Sequence, residues 1–317
     1  MSFQLGIILL AVVTAACCTL PGVFLVLRKT AMMSEAVSHA VLPGIVLALF
    51  ITGSLDSPLL IVGASLAGLL VVLSTEYLEN TGLLKGDAPL GLLFPAMFGI
   101  GVIMVALEFS NVHLDEHVIL VGDLNVAAFI QLEIGGVALG PRYLYVLLGV
   151  LALNIAFVTI FYKELKITTF DTGLAHSLGF RPRLVNYLFM MVVSITITAS
   201  FYVAGSILTI ALMIAPAAAA LLLTKRLFSM ILVAVAIAVA SAVGGFYTAY
   251  ALDAATSGAM AVFYGLVFVC AFLFAPSNGV IGKRLRIRSQ RRRLEREEVL
   301  TIEPLEREPL EREAVRS

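Results

Sequence analysis

Two side chains that can bind a metal ion lie one helical turn apart in an otherwise apolar run. Glu35 and His39 occur in MSEAVSHAVLPGIVLALF, residues 33–50. Their i, i+4 spacing puts both side chains on one face of a helix. Pro43 has no N–H for the His39 carbonyl, so that oxygen is left free beside them. A carboxylate and an imidazole suit zinc, manganese or ferrous iron, and no cysteine lies nearby to favour copper(I).

The membrane surroundings of Glu35 and His39 limit the roles that these two residues can have. An ionisable group in a bilayer costs about 2.5 to 3.5 kcal/mol on insertion scales, so such groups usually face a bundle interior or water and serve transport. The residues therefore predict a site through which a metal ion passes. The alternative for His39 is a histidine that only hydrogen-bonds a neighbouring helix, and the residues alone leave both interpretations open.

A second group of potential ligands, His113, Asp115, Glu116 and His117, lies in NVHLDEHVIL. It fits H-x-x-E-H, a pattern of some metalloproteases, in which two histidines bind zinc and a third ligand is needed. The sequence offers no convincing third ligand, because His176 lies in a distant loop. An intramembrane metalloprotease is therefore an alternative function. The favoured interpretation is a solvated polar turn, with metal capture or docking of a partner at the entrance as a further role.

The composition identifies the chain as an all-α, polytopic membrane protein. Hydrophobic residues make up 60% of the 317 residues and charged residues 13%, which is more apolar than a soluble core requires. A membrane-spanning helix needs about 20 predominantly apolar residues. Eight or nine such helices are predicted, from runs near residues 4–27, 35–53, 58–76, 89–107, 143–162, 185–203, 205–224, 228–250 and 259–276.

Basic residues lie in every second predicted loop between the apolar runs. The first of these loops contains Arg28 and the last contains Lys225. Because Lys and Arg mark cytoplasmic loops, nine crossings put the N-terminus outside and the C-terminus inside. The segment 109–142 is then outside or folded back into the membrane. If residues 129–140 cross the membrane, or if the two runs around Gly205 merge, the N-terminus changes side.

Residues 1–280 are predicted to form the membrane domain, and residues 281–317 a charged, disordered cytoplasmic tail. The tail holds 11 of the 21 Lys and Arg residues and 8 of the 21 Asp and Glu residues. The first apolar run has no basic residue before it and is too long for a signal peptide, so a retained helix is expected. Cys17, Cys18 and Cys270 lie in apolar runs and are expected to be packing residues.

One loop differs from a simple connection. The segment KITTFDTGLAHSLGFRPRL, residues 166–184, is too polar to span the membrane and is compatible with a short helix. Asp171 can cap the start of that helix, Ala175 offers a close-contact surface, and Gly179 can end the helix in the left-handed conformation. Taken alone, the segment predicts an amphipathic loop helix at the membrane surface.

Five segments together resemble one family. They are RKTAMMSEAVSHAVLPG, ILVGDLNV, TTFDTGLAHSLGF, SFYVAGSILTIALMIAPAAAALLL and SGAMAVFYGLVFVCAFLFAP, in this order. From about residue 5 to residue 276 the chain resembles the metal-ion permeases of ATP-binding-cassette (ABC) importers. The resemblance implies an ABC importer permease fold and transport of a divalent metal, zinc or manganese first and iron as the alternative. It also implies a multi-pass protein that is located in the bacterial cell (inner) membrane.

The resemblance also implies partners and residue roles. A cytoplasmic ABC ATPase would use the ATP, an extracytoplasmic metal-binding protein would deliver the ion, and a second permease, identical or different, would complete the path. The chain itself has no GxxxxGK phosphate loop, so it is expected to be no enzyme, with no permanently bound cofactor and no nucleic-acid partner. The implied metal-transit residues are Glu35 and His39, and the implied ATPase-coupling residues are Phe170, Asp171, Ala175 and Gly179.

Two points qualify this assignment. The family more often has Asp where this chain has Glu35, so the carboxylate is kept on a side chain that is longer by one methylene group. A third function, an ion-driven secondary metal transporter without an ATPase partner, is disfavoured by the coupling-like run 166–184.

Overall fold

The computed structural model describes residues 3–53, 59–84, 86–108, 124–134, 137–275, 279–280 and 282. Its helices are α1 (Phe3–Leu27), α2 (Met32–Thr52), α3 (Leu59–Asn80), α4 (Ala88–Glu108), α5 (Leu124–Phe129), α6 (Arg142–Ile160), α7 (Tyr162–Phe170), α8 (Thr172–Ser177), α9 (Pro182–Leu223), α10 (Leu227–Leu252) and α11 (Thr256–Phe274). Among the described residues, eight helices are long and apolar enough to cross a membrane: α1 to α4, α6 and α9 to α11. The prediction of a polytopic helical membrane protein is confirmed.

The run 129–140 is a β-hairpin at its core instead of a further span. Strands β1 (Gln131–Ile134) and β2 (Val137–Pro141) pair antiparallel, with Ile134 opposite Val137. Each strand is too short to cross a bilayer. The sequence has Gly135 and Gly136 between two short apolar runs, which is a hairpin signal that hydropathy alone does not register.

Helix α9 reverses direction at Gly205. Cys18 donates to Ser200 Oγ at 3.1 Å and Thr19 donates to the Leu212 carbonyl at 3.0 Å, so Ser200 and Leu212 lie at the same level of α1. In a straight helix these residues, twelve apart, would be separated by about 18 Å. Gly205 instead has φ 75° and ψ 172°, a conformation essentially restricted to glycine.

The two arms of α9, residues 182–204 and 206–223, therefore form two antiparallel crossings. With this hairpin, the eight helices provide nine crossings within the described part of the chain. The two apolar runs predicted around Gly205 are both real, and the chain turns back between them.

Helix α1 is the centre of the helical bundle. Of its most apolar stretch, 72% of the residues are buried, against 11% for α4. In mid-helix, Asn154 of α6 donates to the Cys17 carbonyl and to Thr196 Oγ1, both at 3.0 Å. A Cβ at Gly22 would overlap the Met213 carbonyl oxygen, so α1 and the second arm of α9 approach through their backbones.

The bundle has two chemically different ends. At the end that we call the basic end lie the loops with Arg28, Lys163, Arg181 and Arg226. At the other end, Phe3 contacts the Phe129 ring with 4.4 Å between centroids, and Asn125 donates to Thr256 at 3.0 Å. Helix α1 therefore begins at the non-basic end and finishes at the basic end.

Backbone contacts divide the chain into two units, Met1–Phe268 and Val269–Ser317. The described part of the second unit continues α11 to Phe274. Cys17 and Cys18 are buried in α1, as predicted, but Cys270 is exposed, so its assignment as a packing residue is wrong. Hydropathy identifies an apolar helix but not which of its faces is turned outward.

Candidate functional site

Helix α2 carries Glu35 in its first turn and His39 in its second. Its N-terminus has no side-chain cap, because Ala31 occupies the capping position. A carboxylate in the first turn interacts favourably with the exposed N–H groups there. The local sequence therefore stabilises a helix start that holds an acidic side chain beside an imidazole.

Glu35 and His39 lie on a single open stripe of α2. Met32, Glu35, His39 and Leu42 are exposed or half-buried and follow one another at spacings of three or four residues. The intervening residues Ala36, Val37, Ser38, Ala40 and Val41 are buried. Both potential ligands therefore lie, half-buried, on the same side of α2, as their i, i+4 spacing predicts.

Helix α4 holds the imidazole of His39 between two aromatic rings. The His39 ring centroid lies 4.8 Å from that of Phe94 and 5.5 Å from that of Phe98, with the second pair nearly perpendicular at 85°. These contacts restrict rotation of the imidazole. The interpretation of His39 as a core histidine required a hydrogen bond to a neighbouring helix, whereas the side chains found against its ring are aromatic.

One turn further along α2, small residues bring the neighbouring helices close. A Cβ at Gly44 would lie 2.5 Å from the Gly63 carbonyl oxygen of α3, and one at Gly101 of α4 would lie 2.9 Å from Pro43 Cδ. Such approaches need residues without side chains. The position of α2, and therefore of its two potential ligands, is fixed by backbone packing against α3 and α4.

An apolar cavity of about 410 Å³ lies beyond these contacts, between α2 and α3. Its lining includes Leu47, Val62, Leu66 and Met97, and its only hydroxyl is that of Thr52. A divalent metal needs carboxylate, imidazole, thiolate or several other oxygen ligands. This cavity is therefore unsuited to hold the ion.

The potential ligands in the described part of the chain are too few for a closed metal site. Among the described residues, no three His, Cys, Asp or Glu side chains are grouped so that they could hold a metal ion. Glu35 and His39 supply two ligands on an open face, and further ligands would have to come from outside the described part of this chain. The second predicted group, His113, Asp115, Glu116 and His117, lies outside the described residues.

The coupling-like segment forms a capped helix, as predicted. Asp171 Oδ1 accepts a hydrogen bond from the Leu174 N–H at 2.8 Å and so caps α8. Gly179 follows the helix with φ 81°, the left-handed conformation expected at a helix end. Ala175 is fully buried, so α8 packs on the chain through this residue.

The exposed surface of this segment includes three large apolar residues among polar ones, and we call these three residues the apolar stripe. Phe170, Leu174 and Leu178 are 63%, 49% and 56% exposed. Phe170 was singled out from the sequence, whereas Leu174 and Leu178 were missed. The four-residue spacing of Leu174 and Leu178 was the available signal for these two residues, whereas Phe170 belongs to the preceding helix and is separated from them by the extended Asp171. Such an apolar face at the polar end of a helical bundle is typical of a docking surface.

Several known proteins are similar to this chain over most of its length. It is 42% identical over 286 residues to the manganese transport system membrane protein MntD of Bacillus subtilis (strain 168), covering 90% of this chain and 97% of that protein. It is 44% identical over 283 residues to the zinc transport system membrane protein TroD of Treponema pallidum (strain Nichols), covering 89% and 77%.

A solved structure gives the same result at the level of the fold. PsaBC from Streptococcus pneumoniae in complex with Fab matches with a TM-score of 0.75 and 27% sequence identity, covering 91% of this chain and 96% of that chain. The model of the ABC 3 transport family matches residues 2–275. This range contains all eight membrane-spanning helices, the open stripe of α2 and the capped helix α8, and the chain therefore belongs to the ABC 3 transport family.

Proposed function

We propose that this protein is the membrane permease subunit of an ABC importer that carries a divalent transition metal, manganese or zinc, into a bacterial cell. The observation that carries the proposal is the pair Glu35 and His39 on the open stripe of α2. Support comes from the relatives described as manganese and zinc transport system membrane proteins. Iron is the alternative cargo.

The geometry supports a site through which the ion passes better than a site that holds an ion permanently. Two ligands on one chain, doubled by a second permease subunit, would give four, enough to replace part of the hydration shell of the ion. A path for ions must bind strongly enough to admit the ion and weakly enough to release it. A site divided between two subunits can open when the subunits move, whereas a closed four-ligand site within one chain is typical of structural zinc.

The orientation follows from the basic end. The ninth basic residue described between residues 3 and 275, Arg142, begins α6 at the other end, and the remaining eight lie at the basic end: Arg28, Lys29, Lys163, Lys166, Arg181, Arg183, Lys225 and Arg226. Because cytoplasmic loops are rich in Lys and Arg, this end is assigned to the cytoplasm. The N-terminus of α1 and the β-hairpin then lie outside, and α8 lies inside.

The partners follow from this orientation. The apolar stripe of Phe170, Leu174 and Leu178 would dock on a cytoplasmic ATPase, which binds and hydrolyses the ATP. A metal-binding protein would deliver the ion at the outer end, near the β-hairpin. A secondary transporter has no use for a docking stripe beside a capped cytoplasmic helix, so the exposed stripe favours the ATPase-driven function.

Metal uptake tests the proposal directly. Cells that lack their own importer would receive the complete operon with native protein, Glu35→Ala or His39→Ala, and uptake of manganese, zinc and iron would be measured. Each substitution should lower uptake of the transported ion by about 100-fold, because it removes a ligand directly. The matched control is Met32→Ala, which alters the same stripe of α2 without removing an oxygen or nitrogen ligand.

Protein level and assembly with the ATPase would be measured alongside. If both variants assemble and keep normal uptake, the path for the ion lies elsewhere, and His113 and His117 become the next residues to test. If native protein gives no ATP-dependent uptake of any of the three ions, the proposed function is wrong.

A further inference from the structure

Arg28, at the end of α1, connects three parts of the chain through its side chain. Its Nε donates to Thr169 Oγ1 at 3.1 Å, and its two terminal nitrogens donate to Asn186 Oδ1 at 3.0 Å and Thr168 Oγ1 at 3.2 Å. The guanidinium carbon lies 4.7 Å from the centroid of the Phe189 ring. We call Arg28 with these four partners the Arg28 fork.

The fork holds a charged group with neutral partners. Arg28 is half-buried, and its burial lowers its pKa from the ordinary value of an arginine to about 10, so the side chain is still protonated at neutral pH. Hydrogen bonds from a charged donor are stronger than those between neutral groups, and the planar guanidinium fixes their directions. The four partners are therefore held in a defined arrangement around Arg28.

On one side the fork contacts the coupling-like segment. Thr168 and Thr169 belong to the last turn of α7, and Asp171, which caps α8, follows two residues after Thr169. Thr168 also donates to the Glu164 carbonyl of its own helix at 2.7 Å. A displacement of α8 that takes α7 with it must either move Arg28 or break its hydrogen bonds to these two hydroxyls.

On the other side, Arg28 begins the short turn that leads into α2. Only residues 28–31 separate α1 from α2, and the turn is closed by hydrogen bonds from the Thr30 N–H to the Leu25 carbonyl and from the Met33 N–H to the Thr30 carbonyl, both at 3.0 Å. Glu35 lies in the first turn of α2. The chain from the fork to the proposed ligands is therefore short and hydrogen-bonded.

We propose that Arg28 is a positioning residue for transport, which transmits movement of α8 to the start of α2 and so moves Glu35 and His39. This inference rests on the proposed function, because it assumes that an ATPase moves α8. The anchoring of Arg28 to Asn186 and Phe189 means that the first arm of α9 moves with the same group. Closure of the ATPase and opening of the ion site are then mechanically linked through one side chain.

The experiment uses the complete complex of permease, ATPase and metal-binding protein in proteoliposomes. Metal uptake and ATP hydrolysis are measured together for native protein, Arg28→Gln and Arg28→Lys. Arg28→Gln should keep assembly and ATP hydrolysis while the number of ions carried per ATP falls by about tenfold. Arg28→Lys keeps the charge but loses the planar fork, and should give an intermediate ratio.

Two further variants separate transmission from folding. Thr169→Val removes one acceptor at nearly constant shape and should lower the ratio by about threefold, without a further loss when combined with Arg28→Gln. Lys225→Gln removes the same charge from an exposed residue at the basic end and should match native protein.

The outcomes are distinct. Uptake per ATP within twofold of native in both Arg28→Gln and Thr169→Val overturns the inference while leaving the proposed function intact. A loss of assembly in Arg28→Gln together with a native ratio in Thr169→Val also overturns it, because the fork is then only a structural brace. Failure of the native complex to transport would instead reject the proposed function.

Discussion

Two sets of ionisable groups in this apolar chain, Arg28 and the pair Glu35 and His39, have different surroundings. The Arg28 fork has its nitrogens hydrogen-bonded to side chains of α7 and α9 and its carbon over an aromatic ring. Glu35 and His39 are left on an open stripe, with aromatic rings as the close neighbours of the imidazole. Ionisable groups that stabilise a fold must be paired within it, whereas groups that bind a passing ion must keep their ligand atoms available. Arg28 therefore has its donors occupied within the fold, whereas Glu35 and His39 are placed to bind an ion.

The largest expected effect that tests this contrast is on stability. Arg28→Met should destabilise the purified permease–ATPase complex by about 2 kcal/mol, because three acceptors lose a charged donor. His39→Leu should change stability by no more than about 0.5 kcal/mol, because leucine is of similar size and can keep the contacts with the Phe94 and Phe98 rings. Thermal denaturation in detergent measures both variants side by side. Equal destabilisation by the two substitutions would remove the distinction between the groups.

A smaller effect is expected from Glu35→Asp. This change keeps the carboxylate and withdraws it by one methylene. Because the carboxylate is retained, uptake should persist, with the ratio of manganese to zinc uptake shifted by about threefold to tenfold through altered coordination geometry. Competition between the two ions in whole-cell uptake measures the ratio. An unchanged ratio would indicate that the length of this side chain does not set metal preference.

The smallest effect is expected from the tail. Removal of residues 290–317 deletes a charged segment that lies beyond the matched family range, and uptake should stay within about twofold of native. Uptake measured at equal protein level is the test. A large loss of uptake at normal protein level would show that the tail is required for transport.

Much of the fold could be predicted because spanning helices have a strong signal in sequence. Nine apolar runs correspond to nine crossings in the described chain, and the break between the sixth and seventh occurs at the glycine where the two runs were divided. The cap at Asp171 and the left-handed Gly179 were also predictable, since both depend on residues within one turn.

The contacts that position the candidate site could not be predicted in the same way. Arg28 meets residues 140 to 158 positions away in the chain, and only the fold brings them together. The same holds for the rings of Phe94 and Phe98 against His39. In an apolar helix, lipid-facing and protein-facing residues have similar composition, so the exposure of Cys270 has no local signature.

The reversal at Gly205 has a consequence for biogenesis. Residues 182–223 start and finish at the same end of the bundle, where Arg181 and Arg183 lie at the start of the first arm and Lys225 and Arg226 follow the second. Between the arms, Ala204, Gly205 and Ser206 are all buried, and the turn contains no charged loop. Insertion of this hairpin therefore requires no hydrophilic segment to cross the lipid. The two arms can enter the bilayer together, with the flanking cations retained on the side of synthesis.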